Sequence, residues 1–476
     1  MQAYVRAYKN KEVIYKYRGR TYNFSLSQGL FSSAEIDRGS HFLLKVFSTY
    51  IDECINNNKA LPGRILDAGS GIGVLGICAI GAVCDAMAGN DNCRPGSPML
   101  RMQDRDELAR IFSFYNAQKN KIPKDIFSAH TEPLLSCQDK SSFDIILSNI
   151  PAKAGLPVLE DFVQRSLSLL SENGRVYIVV VNPLADFFES RLQAGKKKHP
   201  DTSIADNNDC SSAVVLCEKG PGHTVFVYTR DKGKPGQTLP SLTRVSFFTD
   251  CPAYIRGKYQ FMIEKICYNM ETAHGASGFD NPGSDTLAAA KLINRLKEKI
   301  FIKNKTLDIL VWSEDQGHFS TWISVFFNAA YAKNDLRFVL SGRNILALIM
   351  AKHNIASNSH LNSLNPDSTQ TISAADIFFD KERLLEKCRN TGFSIIAYFP
   401  EPVPGTEVPW AKRIEKDWES FEYLLEPDGI VIIATTSSQA ESFDRKKTSG
   451  FTRLGDIKQK GFRACAYRKK QQDNAL

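Results

Sequence analysis

The apolar positions of this chain fall into two series of the same kind. In the first half, short β-like runs alternate with stretches of helical spacing. RILDAGSG, from Arg64, is an apolar run ending in glycines, and helical spacing follows to about Ala88. MLRMQD, from Met99, predicts a second strand, and DELARIFSFYNAQKN, from Asp106, a helix. FDIILSNIP, from Phe143, predicts another buried strand. LPVLEDFVQRSLSLLSENG then predicts a helix stopped by Gly174. RVYIVVVN and HTVFVYTR, the latter from His223, close the series. Strands alternating with helices predict a parallel, doubly wound α/β sheet.

DKGKPGQTLP, residues 231–240, predicts a linker. Beyond it the order repeats. LDILVW, from Leu307, and LRFVLSG, from Leu336, are strands each followed by a helical pattern. GFSIIAYFP, from Gly392, parallels FDIILSNIP; GIVIIATTS parallels RVYIVVVN; GFRACAYRK parallels HTVFVYTR. The order recurs with little identity, which predicts an internal duplication of one α/β domain. The expected domains are 1–230 and 241–476, joined by the linker.

Composition narrows the class. A chain of 476 residues with 43% hydrophobic and 24% charged residues is neither disordered nor a disulfide scaffold. Its net charge of +8 permits a polyanionic partner without requiring one. Eleven scattered cysteines with no CxxC pair and no zinc spacing predict reduced thiols and no resident metal. MQAYVRAYKNKEV lacks the apolar core of a signal peptide, and the run from Gly73 is broken by Asp85. The expectation is a cytoplasmic protein without a membrane segment; a monomer is plausible.

The glycine-rich turn carries the first candidate chemistry. A chain leaving a parallel strand must turn sharply where a ligand approaches its backbone, and glycine permits both. Asp67 is followed by Gly69, Gly71 and Gly73, spaced GxGxG rather than the GxGxxG of nicotinamide sites. That spacing fits S-adenosylmethionine, with Asp67 holding the methionine amino end directly or through water. Asp104 ends the second strand, where a carboxylate can accept both ribose hydroxyls; Asp106 competes but reads as the N-cap of the next helix. His130, after the third strand, lies where the adenine edge would be.

FSLSQGLFSSAEIDRGSHFLL, from Phe24, followed by ILDAGSGIG, resembles the "methyltransferase small" domain family, and within it the two-domain bacterial rRNA guanine-N2 methyltransferases. The resemblance covers about residues 20–230. It implies a cofactor pocket lined by Phe31, Asp37, Gly39 and Ser40. It also implies two tandem Rossmann-like class I methyltransferase domains, one degenerate, with rRNA as partner.

The fourth strand exits through SNIPAKAG, a corner that reads [DN]PP[FYW] in amino-methyltransferases. An exocyclic amine on a base is a poor nucleophile. An amide oxygen and the next backbone carbonyl accept its two hydrogens and aim the lone pair for in-line transfer. Asn149 would supply the amide, Ile150 the carbonyl, and Pro151 the stiff turn. Ile150 replaces the first proline and Ala152 the aromatic.

In the second half the matching turn reads WSEDQGHF. Gly317 is its only glycine, Glu314, Asp315 and His318 crowd it, and no Asn or Asp precedes Pro400. This half is expected to bind no S-adenosylmethionine; the three polar residues are read as solvated loop positions rather than metal ligands. Strand alternation puts Lys16, Arg18 and Arg20 on one face and Tyr15 and Tyr17 on the other; that basic face, Lys196–Lys198, and Arg463, Arg468, Lys469 and Lys470 are candidate RNA contacts. A non-catalytic RNA-binding scaffold and a methyltransferase for a protein or small molecule are the competing functions.

Overall fold

The computed structural model describes residues 1–30, 35–89, 98–136, 142–151, 153–193, 212–231, 252–278, 281–300, 306–330, 336–358, 368–388 and 391–471. They divide into two compact units, Met1–Tyr254 and Ile255–Leu476. The expected linker at 231–240 lies, from residue 232 on, outside the described residues.

The first unit opens with helix α1 (Gln2–Tyr8) and a hairpin of β1 (Lys11–Tyr17) and β2 (Arg20–Leu26). Helix α2 (Arg38–Asn56) leads to a sheet of β3 (Arg64–Ala68), β4 (Met99–Asp104), β5 (Phe127–Thr131), β6 (Phe143–Asn149), β7 (Leu170–Val181), β8 (Ser212–Lys219) and β9 (His223–Arg230). Its spatial order is β5-β4-β3-β6-β7-β9-β8. The first five strands run parallel, while β8 and β9 pair antiparallel at one edge. Between the strands lie α3 (Val74–Gly89), α4 (Glu107–Lys119), α5 (Leu156–Leu169) and α6 (Ala185–Gln193). The central strands are apolar on both faces; Ile65, Leu66, Ile145, Ile146 and Ile178 are all fully buried, as a sheet covered by helices requires. Strand order reverses between β3 and β6, so the loops leaving those two strands flank a crevice at one sheet edge.

The second unit repeats this plan. Hairpin β10 (Ile255–Ile263) and β11 (Ile266–Ala273) and helix α7 (Ser284–Ile300) precede the sheet. Its strands are β12 (Leu307–Trp312), β13 (Leu336–Gly342), β14 (Thr369–Ser373), β15 (Phe393–Tyr398), β16 (Leu425–Thr436), β17 (Phe451–Gln459) and β18 (Phe462–Lys469). They lie in the order β14-β13-β12-β15-β16-β18-β17. Helices α8 (His318–Ala330), α9 (Ile345–Ser357), α10 (Lys381–Lys387), α11 (Trp410–Leu424) and α12 (Ser437–Lys446) connect them. The tandem α/β plan expected from the sequence is therefore present, and the opening hairpin, which the sequence pattern did not foresee in the second unit, recurs with it.

Two local expectations are corrected. Gly174 does not stop a helix: α5 ends at Leu169, and Gly174 lies inside β7, where an added Cβ would come within 2.7 Å of the Phe143 carbonyl oxygen. Lys16, Arg18 and Arg20 do not form one open basic face. Arg18 and Gly19 make the hairpin turn, with φ of 48° and 77°, the two positive values of a type I′ turn. The Arg18 guanidinium then holds the Ser48 carbonyl (3.0 Å) and Asp52 (2.7 Å) of α2, and Arg20 reaches Asp85 and the Asn120 carbonyl. In the second unit Arg463 is likewise paired with Asp456 at 2.8 Å, and Lys469 donates to the Glu422 and Leu425 carbonyls. Lys196–Lys198 lie outside the described residues.

Candidate functional site

The glycine turn is built on β3 and held from α4. Gly69 and Ser70 donate to the Gln103 carbonyl, the Ser113 hydroxyl donates to the Gly71 carbonyl (2.9 Å), and the Asn116 amide donates to the Ile72 carbonyl (2.9 Å). Gly69, Gly71 and Gly73 all have positive φ, at 77°, 54° and 87°. They serve two purposes. A Cβ on Gly73 would lie 3.2 Å from the Ser113 Cα, so this glycine admits α4. A Cβ on Gly71 would meet nothing within 4 Å, and one on Gly69 only a leucine methyl at 3.8 Å. These two leave backbone open for a ligand to approach.

Two carboxylates stand around the turn. Asp67 is fully buried beneath it; Oδ2 accepts the Gly76 N–H of α3 at 2.8 Å, while Oδ1 has no partner among the described residues. Burial pushes its carboxyl up to about 7. Asp104, at the end of β4, accepts the Gly71 N–H (2.9 Å) and the Asp106 N–H (3.0 Å), one on each oxygen. Burial, then the nearby Asp106 carboxylate, raise its pKa. Asp106 caps α4 through the Leu108 N–H. His130 lies within β5 rather than after it, beside Gln103 in the register, with Nε2 2.9 Å from the Ser128 hydroxyl.

Asn149 ends β6, and Ser148 beside it donates to the Ala68 carbonyl, which ties the two strands at the edge where both loops leave. The Asn149 amide nitrogen donates to Asp37 Oδ2 (2.7 Å) and to the Ser40 hydroxyl (3.0 Å). Asp37 caps α2 through the Ser40 N–H, and Gly39 gives room to His223, whose ring would lie 3.0 Å from an added Cβ. So Asp37 and Ser40, which the family resemblance assigned to a cofactor pocket, stand in contact with the amine corner. Ile150 is buried with its N–H on the Val179 carbonyl, and Pro151 is exposed. Phe31 and Ala152 lie outside the described residues.

Sequence reasoning missed the clamps on α4. Asn116 and Asn120 each pair both amide ends with the β2 backbone, at Ser25 and Asn23. Asn354 and Asn358 do the same to β11, at Glu271 and Asn269, and Asn354 also holds the Gln316 carbonyl. The shared signal was two asparagines four apart, one in the last turn of the helix and one at its C-cap, in each half.

In the second unit Glu314, Asp315 and His318 are not solvated loop positions. Glu314 is 8% exposed and His318 fully buried. The His318 ring contacts the Tyr268 hydroxyl (3.0 Å) and the Gly278 carbonyl (2.8 Å), while Asp315 accepts the His318 N–H. Glu314 Oε2 accepts the Ser320 N–H at 3.0 Å, and burial pushes its carboxyl up to about 8. Among the described residues no group of three or more His, Cys, Asp or Glu is placed to hold a metal. No helix there is long and apolar enough to cross a membrane.

Comparison with known proteins agrees with this fold. A family model described as the methyltransferase small domain matches residues 21–192. An uncharacterized protein of Bacillus subtilis (strain 168), YbxB, is 26% identical over 194 residues, 39% of this chain and 85% of its own length. The solved 16S rRNA N2 G1207 methyltransferase of T. Thermophilus, in complex with AdoMet and guanosine, aligns with a TM-score of 0.55. It covers 98% of this chain and 100% of its own at 13% identity, a likeness of fold that spans both units. The match to the methyltransferase small domain thus covers the hairpin strand β2, helix α2, the glycine turn and the asparagine corner of the first unit.

Proposed function

We propose that this chain is an S-adenosylmethionine-dependent methyltransferase whose first unit methylates an exocyclic amine of RNA, guanine N2 of ribosomal RNA, in the cytoplasm. The observation that carries this reading is the meeting of two features at one sheet edge. An open, positive-φ glycine turn leaves β3, and an asparagine corner leaves the adjacent β6. The likeness of fold to an rRNA N2 methyltransferase along the whole chain favours the RNA target.

The residues present fit the cofactor. Gly69 and Gly71 leave space for it, Asp67 Oδ1 is a buried acceptor without a partner, and Asp104 retains lone pairs on both oxygens. Asp67 would hold the methionine end, Asp104 the ribose hydroxyls, and His130 would border the adenine. When bound, S-adenosylmethionine supplies an electrophilic methyl on a sulfonium. The chain's own work is orientation: Asn149 Oδ1 and the Ile150 carbonyl accept the two hydrogens of the amine, and Pro151 limits the turn. The second unit contributes substrate affinity and stability without a cofactor site.

Mass-spectrometric mapping of ribosomal RNA nucleosides with and without the gene tests this reading. Loss of one N2-methylguanosine is the expected result. An unchanged nucleoside map, together with methyl incorporation into protein, would overturn the RNA assignment.

A further inference from the structure

Asn149 matters to the proposed reaction only if its carbonyl oxygen, and not its NH2 group, faces the acceptor. The two ends of a side-chain amide are nearly the same size, so a half-turn of the last torsion exchanges them at little steric cost. The wrong end would set two donors against each other. Something must choose.

Asp37 makes that choice. Its Oδ2 accepts the Ser40 N–H as the cap of α2 and lies 2.7 Å from the Asn149 amide. A carboxylate oxygen that already caps a helix can face only a donor, so the nitrogen end of Asn149 must point to it. The second amide hydrogen goes to the Ser40 hydroxyl at 3.0 Å. Both hydrogens are thus used within the chain, and among the described residues no donor reaches Oδ1. The second unit lacks the asparagine, and its helix-start carboxylate, Asp285, lies within the first turn of α7. Register places Phe399 at the position of Asn149, and the residue before helix α7 is Gly283 instead of the carboxylate that precedes α2.

We propose that Asp37, seconded by Ser40, is a positioning residue that locks the Asn149 amide with its oxygen toward the acceptor amine, and that this partnership is why the corner carries Asn rather than Asp. The inference rests on the catalytic reading of Asn149 given above. An aspartate at 149 would bring two carboxylates to hydrogen-bond distance, where like charges repel and one must take up a proton.

The test uses the full chain, tritiated S-adenosylmethionine and ribosomal RNA from cells lacking the gene. Asp37→Ser keeps a good helix cap but is too short to reach Asn149. Its turnover is expected to fall about 10–100-fold, the usual loss when an outer partner of a reacting group is removed. KM for RNA, cofactor affinity by calorimetry and the thermal midpoint should stay near wild type. Asp37→Asn, which can offer a carbonyl oxygen at the same place, should retain most of the activity. Asn149→Asp should be nearly inactive, because two carboxylates would then face each other. Amide NMR supplies a readout apart from activity. The Asn149 side-chain protons, identified by their loss in Asn149→Ala, should exchange slowly in wild type and fast in Asp37→Ser.

Wild-type turnover in Asp37→Ser beside an inactive Asn149→Ala would overturn the positioning role and leave the catalytic reading standing. An active Asn149→Ala would overturn that reading itself. Should Asp37→Ser fail to fold, Ser40→Ala decides: it keeps the backbone N–H that Asp37 caps and removes the acceptor of the second amide hydrogen, so wild-type turnover together with unchanged slow exchange of the Asn149 amide protons refutes the partnership.

Discussion

Position for position, the turn after β3 and the turn after β12 separate what a methyltransferase fold needs from what its ligand needs. Gly73 and Gly317 both have positive φ, and an added Cβ on either would press on the next helix, at the Ser113 Cα and the Ala351 Cα. Gly69 and Gly71 face open space, and their counterparts are Ser313 and Asp315. Ser313 still holds the left-handed φ of 56°, which an L side chain adopts only at a cost of about 1–2 kcal/mol. A carboxylate at the start of the following helix survives too, by a different route. Asp67 on β3 takes the Gly76 N–H; Val311 stands at its place on β12, and Glu314 reaches the equivalent Ser320 N–H from the turn. The frame was kept and the open floor was filled.

The largest effect that could break this comparison is in cofactor binding. Gly71→Val should abolish it, because a branched side chain would stand where backbone is now open; its left-handed φ of 54° should also cost about 1–2 kcal/mol of stability, leaving the unit folded. Calorimetry of the wild type should give one cofactor per chain. A second equivalent, or normal affinity in Gly71→Val, would mean that the two turns do not differ as described. Next in size, Asn149→Ala should lower turnover about 10²–10³-fold, roughly 2.7–4 kcal/mol, with cofactor affinity nearly unchanged. Phe399→Ala at the matching corner should leave turnover at any fixed folded concentration near wild type.

A smaller and symmetrical effect is expected at the asparagine clamps. Asn116→Ala and Asn354→Ala should each destabilise by about 1–3 kcal/mol for every buried backbone group left unpaired. Only Asn116→Ala should also weaken cofactor binding, since only its carbonyl partner, Ile72, belongs to the open turn. Equal loss of cofactor affinity in Asn354→Ala would refute the division of labour.

The smallest effect is a slope with pH. Asp67, Glu314 and Asp417 are acids whose folded pKa lies above the unfolded value, at about 7, about 8 and about 8, each chiefly through burial. The folded state therefore holds their protons longer than the unfolded chain. Stability is greatest below about pH 4 for these groups, and is lost as pH rises to 7 and 8, by at most about 1.4 kcal/mol per pH unit for each. Between pH 5 and 7, Asp67→Asn and Glu314→Gln should each flatten the fall in thermal midpoint. Added S-adenosylmethionine should remove the Asp67 share alone, because an ammonium favours the ionised carboxylate. A cofactor-bound profile parallel to the apo profile would remove Asp67 from the binding site.

Much of this was legible in one dimension. Apolar runs marked β3, β4, β6, β7 and β9 and their counterparts β12, β13, β15, β16 and β18, but not the edge strands β5, β8, β14 and β17, and the spacing of Gly69, Gly71 and Gly73 after an apolar run marked the open turn. The misreadings share one cause, that local pattern was asked to report on tertiary contact. Gly174 looked like a helix stop because glycine ends helices, but it sits in β7 to let the Phe143 backbone approach. Arg18 and Arg20 looked like a basic face because strand alternation was carried through a turn. Glu314 and His318 looked solvated because they are polar, yet both are buried with partners from distant segments. The contact of Asp37 with Asn149 joins residues 112 apart in the chain, and no periodicity carries that information.

The two kinds of glycine in one turn also bear on how such a half could be rebuilt. Erasing a ligand floor costs a duplicated domain no more than the local strain at Ser313, so that surface can drift, whereas the joint at Gly317 cannot. The second unit is in this sense a dormant chassis, with its hairpin still sewn to α9 and its strands in the original order. Ser313→Gly and Asp315→Gly, with Val311→Asp, would restore the turn's three identities on a frame that never lost its shape, with Gly342 still at the place of Asp104. Whether the turn reopens is then a question of three side chains and not of a fold.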